Sequence, residues 1–331
     1  MAPSPQLKDK VVLVTGGTGS FGAAFVQELL EHHEPAAVRV YSRDELKQWE
    51  LDRRWNDSRV RFFLGDVRNA ERLTMACRGV DVLVHAAALK QVPACEYNPF
   101  EAVQTNVVGA ENVVSAAIAG DVPLTLSLST DKAVNPANLY GATKLCAEKI
   151  IAQGNAYAGH SPARFASVRY GNVMGSRGSV IPIFKKQAQE GKLTITDPAM
   201  TRFWITLQQA VRLVIESLEW MEGGETFVPK IPSMRVEDIA RALAPDAERE
   251  ITGIRPGEKI HEVLITEDES RNASGFEDHY AIYPQFPFWR DEDFGRGEEL
   301  PPGFRYSSET NDEWLGEDEI RVLAEGIPTY G

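Results

Sequence analysis

Two short segments, Ser129-Thr130-Asp131-Lys132-Ala133 and Tyr140-Gly141-Ala142-Thr143-Lys144, gather an acid, two amines and a phenol in one stretch of chain. On a helix, Tyr140 and Lys144 fall one turn apart on the same face. An ammonium so placed lowers the phenol's pKa, and a tyrosinate can take the proton of a sugar hydroxyl as hydride leaves the same carbon. That is nicotinamide chemistry. Asp131 and Lys132 supply a second acid and base, which oxidation of a simple alcohol does not need, so a further step is expected after it.

A Tyr-x-x-x-Lys pair alone is an ordinary surface pair. Here it follows Leu124-Thr125-Leu126-Ser127-Leu128, an alternating run that reads as a strand leading to Thr130, and a cofactor signature lies upstream. Gly16-Gly17-Thr18-Gly19-Ser20-Phe21-Gly22 stands between the strand-like Lys10 to Thr15 and a helical pattern through Phe25, Leu29 and Leu30. Gly16, Gly19 and Gly22 have the G-x-x-G-x-x-G spacing, a relative of the dinucleotide fingerprint. Such glycines allow a tight turn and close backbone approach, and the following helix presents its N-terminus to a pyrophosphate. Thr18, Ser20 and Phe21 complete that turn.

The next strand, Ala37 to Tyr41, ends at Ser42-Arg43-Asp44, with Lys47 one turn on. A hydroxyl and a guanidinium at this point suit the 2′-phosphate of NADP, whereas a carboxylate here binds the ribose of NAD. NADP is the expected cofactor; a one-residue shift of the strand would put Asp44 at the ribose. A third strand, Val60 to Leu64, delivers Gly65-Asp66-Val67, where Asp66 either accepts from the adenine amino group or caps a helix. A fourth, Asp81 to Val84, runs into His85-Ala86-Ala87-Ala88-Leu89-Lys90, whose small residues let a ribose and nicotinamide lie close to the backbone. His85 has no nucleophile to serve and reads as a packing residue. Asn106, within the helical run from Pro99 to Ala119, either bonds across to the Tyr140 helix or faces solvent.

Strands and helices alternate from Val11 to about Tyr170, as a parallel sheet with covering helices requires. The expected fold is α/β, a Rossmann-type doubly wound sheet with a smaller C-terminal lobe. Residues 1–170 form the dinucleotide-binding domain, with the Tyr-x-x-x-Lys helix over 138–159, and 171–331 form mainly a substrate lobe with segments returning to the first domain. After the strand from Arg164 to Tyr170, Gly and Pro density rises, and ligand binding is expected beyond the strands' carboxyl ends.

The 331 residues carry a net charge of −13, which argues against nucleic acid as a partner. The three cysteines, Cys77, Cys95 and Cys146, are scattered and read as reduced thiols. The six histidines form no metal motif. No stretch approaches the ~18 apolar residues of a membrane span, and the start lacks a signal peptide's apolar centre. A soluble, cytoplasmic protein is expected.

In the second half, Asn172 follows a strand end, Arg202 sits in Met200-Thr201-Arg202-Phe203-Trp204-Ile205, and Arg255 and Glu258 sit in Ile254-Arg255-Pro256-Gly257-Glu258-Lys259-Ile260-His261-Glu262. Two arginines can converge on a diphosphate as planar forks, and Glu258 can accept from sugar hydroxyls. Each alone is by default a surface ion-pair residue; together with a reductase-type site they suggest a nucleotide sugar.

With these segments the chain resembles the extended short-chain dehydrogenases/reductases, and more narrowly the soluble, C5-inverting UDP-N-acetylglucosamine 4,6-dehydratases of pseudaminic acid biosynthesis. The resemblance runs from Thr15 to Asn311 and rests above all on Thr-Asp-Lys-Ala and Tyr-Gly-Ala-Thr-Lys. Membrane-anchored, C5-retaining relatives and certain epimerases typically carry methionine in the place of Tyr140. What the resemblance implies is a homo-oligomer with bound, self-regenerating NADP and UDP-N-acetylglucosamine as substrate. In it Tyr140 and Lys144 serve oxidation at C4 and Thr130 bonds the 4-oxygen. Lys132, if neutral, removes the C5 proton while Asp131 protonates the departing 6-hydroxyl. Lys90 joins Asn172, Arg202, Arg255 and Glu258 among the expected substrate contacts. The acidic stretch 290–300 and the Glu-rich segment around Glu267 depart from the pattern and have no evident role in it.

Overall fold

The computed structural model describes residues 4–175, 179–290, 294 and 297–327. In chain order, the first half runs β1 (Val11–Thr15), α1 (Ser20–Glu28), β2 (Ala37–Ser42), α2 (Glu45–Trp55), β3 (Val60–Leu64), α3 (Ala70–Cys77), β4 (Val82–His85), α4 (Val92–Tyr97), α5 (Pro99–Val103), α6 (Gly109–Ala119), β5 (Leu124–Leu128), α7 (Leu139–Tyr157) and β6 (Arg164–Val168). There follow β7 (Asn172–Val173), α8 (Val180–Gln189), β8 (Lys192–Ile195), β9 (Thr201–Ile205), α9 (Leu207–Trp220), β10 (Thr226–Pro229), β11 (Ser233–Arg235) and α10 (Val236–Leu243). The chain closes with β12 (Glu248–Ile251), β13 (Val263–Ile265), α11 (Glu267–Ser270), β14 (Ala273–Gly275), β15 (His279–Ile282), β16 (Glu298–Glu299), β17 (Tyr306–Ser307) and α12 (Glu317–Glu325).

The main sheet has the order β16-β14-β15-β10-β6-β5-β4-β1-β2-β3. From β3 to β10 the strands are parallel, while β15, β14 and β16 add on antiparallel. Short, almost wholly buried strands such as Leu124–Leu128 are what a sheet covered on both faces selects. Val12, Val14, Phe25 and Val214 belong to the apolar layer on one face, where α1 and α9 lie. Leu13, Leu83, Val113 and Ile151 belong to the other, under α3, α6 and α7. A separate cluster of Ile181, Leu193, Trp204 and Ile239 holds the C-terminal helices. The strand order reverses between β1 and β4, so the crevice beyond Thr15 and His85 is where a ligand is expected.

Helix boundaries follow local chemistry. Asp44, Asn69 and Asn138 cap α2, α3 and α7 with side-chain oxygens. Asp66 is therefore not the cap of α3. Between α5 and α6 the helix widens into a π turn, Gln104–Val108, which carries Asn106.

Candidate active site

Gly16 leaves β1 with φ of +68° and donates its N–H to the Tyr41 carbonyl at 2.9 Å. A Cβ on Gly16 would lie 2.8 Å from the Ala87 nitrogen, so the turn and the Ala86-Ala87-Ala88 segment can meet only through a glycine. No side chain caps α1 at Gly19, which leaves the first-turn amides for an anionic ligand. Phe21 stacks on Phe25, Thr18, Ser20 and Phe21 are partly accessible on the turn, and Gly22 is buried against it. These residues fit a dinucleotide.

At the adenosine end, Gln48 donates to both the hydroxyl and the carbonyl of Ser42. Arg43 is half-exposed, with one loose contact to Asp66 at 3.5 Å. Asp44 caps α2 and pairs with the Lys47 ammonium, so both belong to the helix start rather than to an open ribose site. Burial pushes the Asp66 carboxyl up, but hydrogen bonds from Arg68 outweigh it and keep it below the ordinary range. Val67 is buried beside Gly109.

The residues expected to be catalytic after β5 are brought together by a packing requirement. After β5, Thr130 caps a single 3₁₀ turn, Asp131–Ala133, and α7 starts directly against it. A Cβ on Gly141 would overlap the Lys132 carbonyl oxygen, which explains the glycine between Tyr140 and Lys144. The Thr130 hydroxyl donates to Asp131 Oδ1 at 2.8 Å and shares a hydrogen bond with the Tyr140 side chain. Lys132 Nζ donates to the same Oδ1 at 3.1 Å. Asp131 is fully buried and its Oδ2 has no partner. That oxygen faces a desolvation cost which a ligand's hydroxyl can remove.

Two expectations change. Burial lifts the Tyr140 phenol to about 12, and the charge that opposes this is that of Lys132, not of Lys144. Lys144 is itself pulled down to about 8 by burial, with Glu148 one turn on as its supporting charge. Nor is Lys132 neutral. Burial disfavours its charge, but Asp131 and Glu262 together hold its pKa well above the ordinary lysine value, against an opposing contribution from Arg202. His85 is buried, bonds Thr15 Oγ1 through Nδ1 at 2.7 Å and is kept neutral, as a packing histidine should be.

Among the expected substrate contacts, Lys90 borders the same cleft, its pKa lowered by desolvation and by Lys132. Asn172 begins β7 with its Oδ1 buried and unpartnered. Arg202 spends NH1 and NH2 on the Thr201, Lys259 and Ile260 carbonyls and on the Met200 sulfur, so its fork is not presented whole to a diphosphate. Arg255 and Glu258 lie together at 3.8 Å on an exposed turn, which Asn138 fastens to the α7 start through the Gly257 carbonyl.

Glu262 and Lys259 escape sequence reasoning. Glu262 Oε1 stands 3.5 Å from Lys132 Nζ and its Oε2 3.4 Å from Lys259 Nζ, a meeting across the two halves of the chain with no local signature. Sequence reasoning also leaves the Glu-rich segment idle, yet Glu269 pairs with buried Arg169, which grips Glu148 with two hydrogen bonds. The stretch 290–300 lies partly outside the described residues.

Residues 12–284 match the model of a family described as polysaccharide biosynthesis protein. The chain belongs to this family. The chain is similar to a UDP-N-acetylglucosamine 4,6-dehydratase (inverting) of Campylobacter jejuni, 50% identical over 94% of this chain and 96% of the relative. A UDP-glucose 4-epimerase of Rickettsia conorii is 44% identical over 83% of each chain. Among solved structures, Pen from Bacillus thuringiensis superposes with a TM-score of 0.88 at 40% identity, covering 96% of this chain and 97% of that one. The expected dehydrogenase/reductase fold and relationship to inverting dehydratases are thus borne out. No helix among the described residues is long and apolar enough to cross a membrane.

Proposed function

We propose that the chain is a C5-inverting 4,6-dehydratase of UDP-N-acetylglucosamine, forming UDP-2-acetamido-2,6-dideoxy-β-L-arabino-hex-4-ulose. The observation that carries this reading is the ion pair of buried Asp131 with partly buried Lys132, set directly beside Thr130 and Tyr140. A 4-epimerase works at C4 alone and has no use for a second acid–base pair; a dehydratase must also move protons at C5 and O6.

A bound nicotinamide supplies the hydride acceptor at C4 and the donor at C6. Tyr140, its phenolate favoured by the Lys132 charge, by the Thr130 hydrogen bond and by the nicotinamide's charge when bound, takes the proton of the 4-hydroxyl; Thr130 holds the 4-oxygen, and Lys144 serves the ribose. One proton hop from Lys132 Nζ to Asp131 Oδ1 turns the ion pair into a neutral amine and a carboxylic acid. The amine then takes the C5 proton, the C5–H electrons form the C5–C6 double bond, and the acid protonates O6 as it leaves as water. The pair returns to ammonium and carboxylate. As C6 takes the hydride, the double-bond electrons move to C5, and a solvent-exchangeable proton, balancing the one Tyr140 took from the 4-hydroxyl, enters from the opposite face to give the inverted centre.

NADP is the cofactor in this reading, supported by Arg43 at the end of β2 and by the use of Asp44 as a cap. Residues 1–170 mainly hold it, and 171–331 mainly hold the sugar nucleotide through Lys90 of the first half with Asn172, Arg202, Arg255 and Glu258. A cytoplasmic homo-oligomer on the route to pseudaminic acid completes the proposal, carried by the resemblance. The test is to incubate the purified protein with UDP-N-acetylglucosamine and no added cofactor, then weigh the product. Loss of one water supports dehydration. An unchanged mass with inverted C4 would favour the epimerase reading, which the Rickettsia relatives' name raises. Failure to bind any sugar nucleotide would sink both.

A further inference from the structure

Lys132 has a second carboxylate. Besides Asp131 Oδ1 at 3.1 Å, its ammonium meets Glu262 Oε1 at 3.5 Å, and the Glu262 side chain is only 4% exposed. The backbone of Glu262 is fixed from outside the site: its N–H donates to Ser308 Oγ at 2.9 Å and its carbonyl accepts from the Ser308 N–H at 2.8 Å. Ser308 Oγ in turn meets Thr201 Oγ1 at 2.7 Å, next to Arg202. The carboxylate is therefore delivered to Lys132 by the β13 and β17 strands of the C-terminal half, not by the loop that carries Lys132 itself. Its Oε2 is buried without a hydrogen bond, though Lys259 Nζ, anchored at 2.6 Å on the Val134 carbonyl, lies within ion-pair range.

We infer that Glu262 is a positioning residue for Lys132, its carboxylate fixing the ammonium beside Asp131 and governing when that pair exchanges its proton. The inference rests on the dehydratase reading for its role in turnover, but not for its electrostatics. The charged and titratable groups around Lys132 are Asp131 on its own turn, Tyr140 on α7, Lys90 after β4, Arg202 on β9, and Glu262 with Lys259 before β13. Of these, only Asp131 and Glu262 are anionic, so removing the Glu262 charge leaves three cations facing Lys132 against a single carboxylate. The ammonium then sheds its proton at lower pH. The shared proton that Asp131 needs to protonate O6 is lost with it, and the alkaline limb of turnover moves down.

Glu262→Gln keeps the shape and removes the charge, and Glu262→Asp keeps the charge. Competitive acetylation of Lys132 by acetic anhydride across the pH range, read by mass spectrometry of its peptide, reports the ammonium's titration without any substrate. In Glu262→Gln the acetylation midpoint is expected to fall by about one pH unit or more, with the alkaline limb of kcat following it, and Glu262→Asp should restore most of both. An acetylation midpoint in Glu262→Gln that coincides with the unaltered protein's overturns the inference, whether or not activity survives. So does a kcat profile that keeps its alkaline limb in place while the midpoint moves. Should the unaltered protein fail to dehydrate UDP-N-acetylglucosamine while the midpoint shifts as described, the functional reading fails and the Glu262–Lys132 coupling stands.

Discussion

Asn106 reaches from the π turn of its helix to the Thr143 hydroxyl on α7, 3.0 Å away, while its amide also grips the backbone N–H and carbonyl of Leu89 at 2.8 and 2.9 Å. One side chain thus ties the catalytic helix to the segment that ends in Lys90. Asn106→Ala leaves the Leu89 N–H unpaired and its carbonyl with only the weak Cys95 thiol at 3.7 Å, and should cost about 1–3 kcal/mol of stability. Urea unfolding measures this directly; a loss within error would show that water replaces the amide without penalty.

Arg43→Ala should weaken NADP binding by about 1.5–3 kcal/mol, the cost of a lost charge-assisted bond, and leave NAD binding nearly unchanged. Titration of nucleotide-stripped protein with each dinucleotide decides it. Equal affinity of the unaltered protein for the two would refute the NADP assignment.

Lys132→Met and Asp131→Asn act after the ketone forms, so both variants should still oxidise C4 yet release no dehydrated product. Stopped-flow absorbance of the reduced nicotinamide, with mass analysis of the quenched sugar, separates the steps. Normal turnover in both variants would remove these residues from the mechanism.

His85 gives a pH dependence of stability. Burial, assisted by Lys144, lowers its pKa from 6.5 to about 3. Between those values the unfolded chain binds a proton that the folded chain refuses, so stability is complete above the unfolded pKa and falls as the solution is acidified towards the folded one. The slope approaches about 1.4 kcal/mol per pH unit for one proton. His85→Gln, which keeps a hydrogen-bonding group beside Thr15, should flatten the stability curve between pH 6 and 4 relative to the unaltered protein, as read by denaturant midpoints. Parallel curves would mean that His85 takes up its proton without unfolding.

In deuterated water the product should carry one deuterium at C5 with L-arabino configuration, while the hydride moved from C4 to C6 stays free of solvent label. Nuclear magnetic resonance on fresh product reads both positions. A D-xylo product at the earliest times would overturn inversion and leave dehydration intact.

Much of this site was written locally. The strands Val60–Leu64 and Leu124–Leu128 fall where their apolar patterns place them, and Thr130, Asp131, Lys132 and Tyr140 meet because a cap, a 3₁₀ turn and a glycine act within a dozen or so residues of chain. What the sequence concealed is the charge state of those groups. Lys132 is an ammonium because Glu262, arriving from the other half of the chain, joins Asp131 beside it, and Lys144 is supported by a glutamate that Arg169 and Glu269 hold in place. Helical periodicity locates Tyr140 and Lys144 on one face, but the charge each side chain feels is set by burial and by Lys132 and Glu148, whose own partners Glu262 and Arg169 come from elsewhere in the chain. Of the alternatives left open, that for Asn106 was decided by Thr143, and the cap expected of Asp66 is supplied by Asn69.

The parallel pairing of β10 with β6 has a consequence for how the chain is made. Residues 164–168 can complete the first six strands as soon as they are synthesised, but their outer edge stays bare until Thr226 and Phe227 arrive, after the whole of 169–225 has been threaded through its own turns and helices. A raw parallel edge is a template for the wrong neighbour, and closing a loop of that length is slow compared with forming the local units on either side. The interval in which 169–225 are synthesised is therefore the one in which the nascent chain is most open to mispairing, and slowing elongation there would lengthen the exposure of that edge.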